Sequence, residues 1–348
     1  MTIDEFQAAM TDACRNYYSP SQNRLYDKTR VLAVYWQMDE SAGLGNQARR
    51  VRDLFQCSYG YDVELLAIPM QDPNPDATLI FNLRRLLDGL TEGDLAIFYY
   101  IGRGDQGAFQ EVRAQIIDPS PADVLILLDC SVSPGIGIGH RKELIAASAF
   151  DGTTDSGPSG FTDVLVQQLQ HAIDNRLIMS TAQLYNRLVT GYLIVQFPTP
   201  ELNAMPYFLK NSGEGQTPIM LAPNMAHGSW TPAPVLPLFQ SPVIVVLHVH
   251  LQDAHTVTCI SNQINQWLRV DRPNNVDRIE IKSTLPSLPR GVIAIVGVTL
   301  DIWCAIRERP GFSFIGFEKN NDPAIHNPPV MPRAIQLEQI SFNPTQRQ

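Results

Sequence analysis

Two apolar runs dominate the first half of the chain. Leu95-Ala96-Ile97-Phe98-Tyr99-Tyr100-Ile101 and Val124-Leu125-Ile126-Leu127-Leu128 carry no charged position on either face. That is the pattern of strands in a parallel sheet with helices on both sides. Similar runs lie at Val31–Trp36, Val63–Ile68 and Leu144–Phe150, and Pro218–Leu221 makes a predicted sixth. Between them apolar residues recur at helical spacing, at Leu44, Ala48, Val51 and Phe55, then at Leu79, Ile80, Leu83, Leu86 and Leu87. Phe161, Leu165, Leu169 and Ile173 form a third stripe, and Leu184 and Leu188 belong to a fourth helix. Asp76 and Ser180 are the predicted N-caps, and Gly89 closes the second helix. This alternation predicts right-handed crossovers and a doubly wound α/β sheet of about six strands. Such sheets keep their functional residues at the carboxyl ends of the strands. Both central runs end in polar residues, Gly102-Arg103-Gly104-Asp105 and Asp129-Cys130-Ser131.

A helix is predicted over residues 3–17, with Phe6, Met10 and Cys14 on one stripe, inside an N-terminal extension of residues 1–27. The α/β domain spans 28–223, with only a short helix, 106–115, between its two central runs. A Pro-rich linker follows at 224–242. Residues 243–319 then read as strand (Val243–Leu251), helix (Val257, Ile260, Ile264, Trp267), strands at Ile279–Ile281 and Val292–Val298, a short helix (Leu300, Trp303, Cys304) and a strand at Phe312–Phe317. The order β-α-β-β-α-β predicts a small ferredoxin-like module. Residues 320–348, rich in Pro, Asn and Gln, read as a loose tail.

With 348 residues, 44% of them hydrophobic, the chain is long enough for two cores. A net charge of -9 argues against nucleic acid as the partner. The five cysteines are scattered, with no CxxC pair, which predicts buried thiols in a reducing compartment and no zinc. Residues 1–18 lack a secretory pattern and no apolar run reaches membrane-spanning length, so the expectation is a cytoplasmic protein that binds no membrane.

The segment from Asp94 to Gln106 resembles the strand of the caspase and metacaspase family that ends in Ser-Gly-His-Gly-Asp. The segment from Asp123 to Ser131 resembles the family's strand ending in Asp-Ser-Cys or Asp-Cys-Cys. The resemblance implies a caspase-like fold over about residues 28–223, and a ferredoxin-like module after such a domain is an arrangement of filamentous fungi. In the family the His and the last Cys form the catalytic dyad; here those positions hold Arg103 and Ser131. A guanidinium has no lone pair to accept a proton, and a serine hydroxyl without a base is a poor nucleophile. In a serine protease, losing either the nucleophile or the base costs on the order of 10⁶ in turnover. The first expectation is therefore a pseudo-peptidase that acts by binding or regulating a protein or peptide partner.

Two alternatives belong to other classes. One is an enzyme that has repurposed the cleft of Arg103, Asp105, Asp129, Cys130, Ser131 and His140 for a small molecule or peptide. The other is a cysteine peptidase using Cys130 with His140, with Arg141 and Lys142 lowering the thiol pKa. Against the latter, alternation along an extended strand turns Cys130 away from Ser131 and into the core. The resemblance assigns Asp129 to an acidic pocket for a basic side chain, and an Arg103–Asp129 ion pair would fill that pocket from within. No cofactor and no metal is expected: His248 and His250 share a strand face, with His255 nearby, but lack a completing ligand. The edge near Ile219 is a candidate for pairing two copies.

Overall fold

The computed structural model describes residues 1–18, 26–102, 111–131, 138–148, 160–193, 206–210, 218–224, 243–252, 262–264, 266–267, 279–287, 291–299, 302–303, 306 and 309–319. By its contacts the chain forms two units, one of Ser21–Val235 and the other of Met1–Pro20 with Leu236–Gln348.

The larger unit is mixed α/β. Its strands are β1 (Thr29–Trp36), β2 (Asp62–Ile68), β3 (Leu95–Ile101), β4 (Asp123–Ser131), β5 (Lys142–Ser148) and β7 (Tyr207–Lys210), in the sheet order β2-β1-β3-β4-β5-β7. The first five are parallel and β7 runs antiparallel to β5. Helix α2 (Leu44–Asp53) links β1 to β2 and α3 (Pro75–Leu87) links β2 to β3, while α4 (Phe161–Asp174) and α5 (Thr181–Leu193) follow β5.

Asn74, not Asp76, caps α3: its side chain accepts from the Ala77 N–H at 3.0 Å, with Pro75 in the first turn. Gly89, at φ +66°, ends that helix as predicted. Ser180 and Gln183 cap α5 reciprocally, the Gln183 N–H donating to Ser180 Oγ at 3.1 Å and the Ser180 N–H to Gln183 Oε1 at 2.8 Å. A π-helical turn at Arg113–Ile117 precedes β4, and residues 106–110 of the expected helix lie outside the described residues.

Strand β4 shows how sequence becomes layers. Its even-numbered residues Val124, Ile126, Leu128 and Cys130 join one buried cluster with Phe98, Leu144, Leu83, Leu86 and Ile117. Tyr99 and Asp129 point to the other face, where both meet Thr162 of α4. The sixth strand is Tyr207–Lys210, not Pro218–Leu221. Only Met220–Leu221 (β8) is extended there, and it pairs with Met179–Ser180 (β6) in a separate ribbon. The segment at Ile219, where the sequence left pairing of two copies open, is engaged within the chain, because the Ile219 N–H donates to Glu143 Oε1 at 3.3 Å.

In the second unit β9 (Val243–Gln252), β10 (Ile279–Ser287), β11 (Gly291–Thr299) and β12 (Phe312–Lys319) form an antiparallel sheet in the order β10-β11-β9-β12. Residues 262–264 and 302–303 are helical. The N-terminal helix α1 (Ile3–Tyr18) belongs to this unit instead of standing as an extension of its own. Phe6 is fully buried, with its ring 6.2 Å from that of Trp267 and 6.0 Å from that of Phe312. Cys14 of the same helix is buried, as its stripe predicts.

Candidate functional site

The two candidate strands lie side by side at the centre of the sheet. Ile101 of β3 pairs with Asp129 of β4, so the segments that run on to positions 103 and 131 leave the same carboxyl edge from adjacent positions. Arg103 and Asp105 lie outside the described residues, and the expected Arg103–Asp129 pair lies there with them. Ser131 ends β4 and pairs with Ser148. Between the pairs Leu128–Ala146 and Ser131–Ser148, β4 advances three residues while β5 advances two, a bulge that includes Asp129 and Cys130.

Gly102 closes β3 at φ +150°, a region that side chains disfavour. A Cβ there would lie 2.8 Å from the Tyr100 hydroxyl and 3.2 Å from Trp36. Those two side chains are joined by a bond in which the Trp36 indole N–H donates to Tyr100 Oη at 2.8 Å.

Asp129 is 7% exposed and is not an open acidic wall. Its Oδ2 accepts from the Thr162 hydroxyl at 2.5 Å and from the Thr162 N–H at 3.3 Å. The Thr162 hydroxyl also lies 2.5 Å from the Tyr99 hydroxyl. Burial pushes the Asp129 carboxyl up to about 6 against the opposing effect of the Thr162 hydrogen bonds, and the negative charge of Asp163 adds to the rise. Asp163 itself pairs with Arg50 of α2.

Cys130 is buried in the hydrophobic cluster, and burial, with the neighbouring Asp129 carboxylate, pushes its thiol up to about 12. Such a sulfur is protonated at neutral pH and is no nucleophile. His140 stands at the other edge of the sheet. Lys142 pairs with Val124, so the turn carrying His140 enters β5 level with the start of β4, six residues below Cys130. At about 3.3 Å per residue that is roughly 20 Å, against the roughly 3 Å a proton-transferring pair needs.

Arg141 and Lys142 are committed at that amino edge too. Arg141 Nε is 2.6 Å from Asp123 Oδ1, and Lys142 Nζ donates to the Ser120 and Ala122 carbonyls at 2.9 and 2.8 Å. Burial pushes Lys142 down to about 8. The Cys130–His140 dyad is therefore excluded by topology, and neither cation sits beside the thiol.

A cavity of about 390 Å³ opens at the C-terminal end of α3, lined by Arg84, Leu87, Asp88, Gln115, Ile116 and Ser120 among others. It lies toward the amino edge and includes none of the candidate residues. His248 and His250 fall on β9, and among the described residues no three His, Cys, Asp or Glu side chains converge as metal ligands. No described helix is long and apolar enough to cross a membrane.

Sequence reasoning missed Thr162 and Tyr99. The available signal was Gly160, a helix start without a side chain to cap it, which calls for an acceptor from elsewhere in the fold. Compared with models of known protein families and with curated proteins, the chain matches none.

Proposed function

We propose that this chain is a caspase-like pseudo-peptidase, with a ferredoxin-like module after it, that acts by binding a protein or peptide partner at the vestigial cleft. The observation that carries this reading is the pairing of Ile101 with Asp129 in a five-strand parallel array. It makes the ends of β3 and β4 neighbours at the edge where open α/β sheets hold their sites, and the sequence that follows offers Arg103 and Ser131 in place of a base and a thiolate. The nearest alternative nucleophile, Cys130, is buried and protonated, and its proposed base is at the far edge. The strand order β10-β11-β9-β12 supports the ferredoxin-like part, since a β-α-β-β-α-β chain with its helices on one face places its strands in that order.

Site-resolved thiol labelling combined with a peptidase assay tests the loss of chemistry. At pH 7.5 iodoacetamide is expected to modify the exposed Cys57 well before the buried Cys130 and Cys14. The unmodified chain is expected to cleave no fluorogenic peptide carrying Arg, Lys or Asp at the scissile position. Rapid labelling of Cys130 with cleavage that Cys130→Ala abolishes would overturn the reading.

A further inference from the structure

We infer that the seat of α1 in the smaller unit is a helix-binding site, held by the chain's own helix as a tethered ligand and open to the same helix from a second copy. The inference rests on contacts inside that unit and is independent of the peptidase resemblance.

Helix α1 carries its own start signal and a single contact stripe. Thr2 and Glu5 form a capping box, the Glu5 N–H donating to Thr2 Oγ1 at 3.2 Å and the Thr2 N–H to Glu5 Oε2 at 2.7 Å. Asp4 and Glu5 place negative charge in the first turn, where the helix dipole favours it. Phe6, Ala9, Met10, Ala13 and Cys14, spaced three and four apart, are each no more than 3% exposed, while Asp4, Glu5 and Ala8 face solvent.

The groups that receive this stripe come from the other end of the chain. The Phe6 ring packs against Trp267 and Phe312, both buried. Asp12 Oδ2 is 3.5 Å from Arg309 Nη2. The Met1 ammonium donates at 3.1 Å to the carbonyl of His250, 249 positions away. Its side chain lies over Gly311, where a Cβ would be 3.2 Å from Met1 Cε. An apolar anchor, an ion pair and a captured terminal ammonium are the elements of helix-in-groove recognition, and together they set the depth, rotation and direction of the helix.

From the end of α1 to the next residues of its own unit the chain runs through all of Ser21–Val235, the other unit. The helix therefore reaches its seat as a ligand does, with the tether supplying an effective concentration. A second copy presents the same stripe, the same Asp12 and the same ammonium. It fits the same seat and lacks only the tether, which is the condition for exchanging an identical element between protomers.

The test uses the full-length chain with a protease site inserted after Pro20, where the two units divide. A synthetic peptide of residues 1–18 stands for the second copy's helix, labelled at its carboxyl end so that the Met1 ammonium stays free. After cleavage, residues 1–20 are expected to co-elute with the remainder in gel filtration and to be replaced by the labelled peptide in excess. A labelled peptide with Phe6→Asp is expected not to replace them. In the uncut chain, Phe6→Asp displaces the resident helix, and peptide binding followed by fluorescence anisotropy is expected to be at least about 100-fold tighter than in the unmodified chain, the scale on which a lost buried phenylalanine weakens the resident. A cleaved chain that loses residues 1–20 and takes up no peptide, or that holds them against every excess of peptide, would overturn the inference. Equal binding of the peptide by the Phe6→Asp and unmodified chains would do the same.

Discussion

Lys210→Met lowers the stability of the larger unit by about 3–5 kcal/mol, the cost of stranding one member of a buried ion pair. Its partner Glu143 is fully buried at the start of β5. Lys210 Nζ lies 3.6 Å from Glu143 Oε1, the Thr181 hydroxyl donates to Glu143 Oε2, and the Ile219 N–H donates to Oε1. One carboxylate thus ties together β5, β7, the first residue of α5 and the segment before β8. Burial raises the Glu143 pKa and Lys210 opposes the rise.

The pH dependence has a definite sign. A carboxyl raised in the folded state contributes stability that is present below its unfolded pKa and lost as pH rises through its folded pKa. Without Lys210 the rise is larger, so the penalty of Lys210→Met is full at neutral pH and shrinks on acidification. Adding Glu143→Gln keeps an acceptor for Thr181 and Ile219 and removes the stranded charge, so the double variant recovers much of the loss. Thermal unfolding at pH 7 and pH 5 is the measurement. A single variant within about 0.5 kcal/mol of the parent, the range of an ordinary surface substitution, would remove Glu143 from this role.

Gly102→Val costs about 3 kcal/mol and disturbs the end of β3 first. Strain at a conformation suited to glycine and overpacking of a filled space each cost roughly 1–3 kcal/mol. Here they coincide, because the new Cβ would lie 2.8 Å from the Tyr100 hydroxyl that receives the Trp36 N–H. Denaturant unfolding followed by tryptophan fluorescence reads both the loss and the displaced indole. An unperturbed Trp36 signal with unchanged stability would show that the strand end tolerates a side chain there.

The layers of the larger unit were legible in the sequence because the central strands are apolar on both faces, as in Leu125, Ile126, Leu127 and Leu128, and a buried parallel strand leaves that mark. The helices were legible from their stripes, and Gly89 and Ser180 from their chemistry. Strand β7 was not, because Tyr207–Lys210 is four residues long and follows a Pro-rich stretch, while its stability comes from pairing with β5 far away in sequence. The start of β5 was missed for a related reason. Lys142 and Glu143 look like surface residues, and the Ser120, Ala122, Thr181, Ile219 and Lys210 partners explain their burial.

At the site, the inward turn of Cys130 followed from strand alternation. The separation of His140 from it did not, since it needs the register of a parallel pair. The Asp129–Thr162 contact joins residues 33 positions apart through packing of α4 on the sheet; Gly160 marks the missing cap locally, but nothing local names the residue that supplies it.

The central claim, that the carboxyl edge of β3 and β4 is a peptidase cleft without its dyad, is tested most directly by restoring the pair. Arg103→His and Ser131→Cys, singly and together, are assayed on fluorogenic peptides with Arg, Lys or Asp at the scissile position, with thermal unfolding confirming that each variant is folded. Cleavage by the double variant and by neither single variant is the predicted result. A folded double variant that cleaves none of these peptides would contradict it.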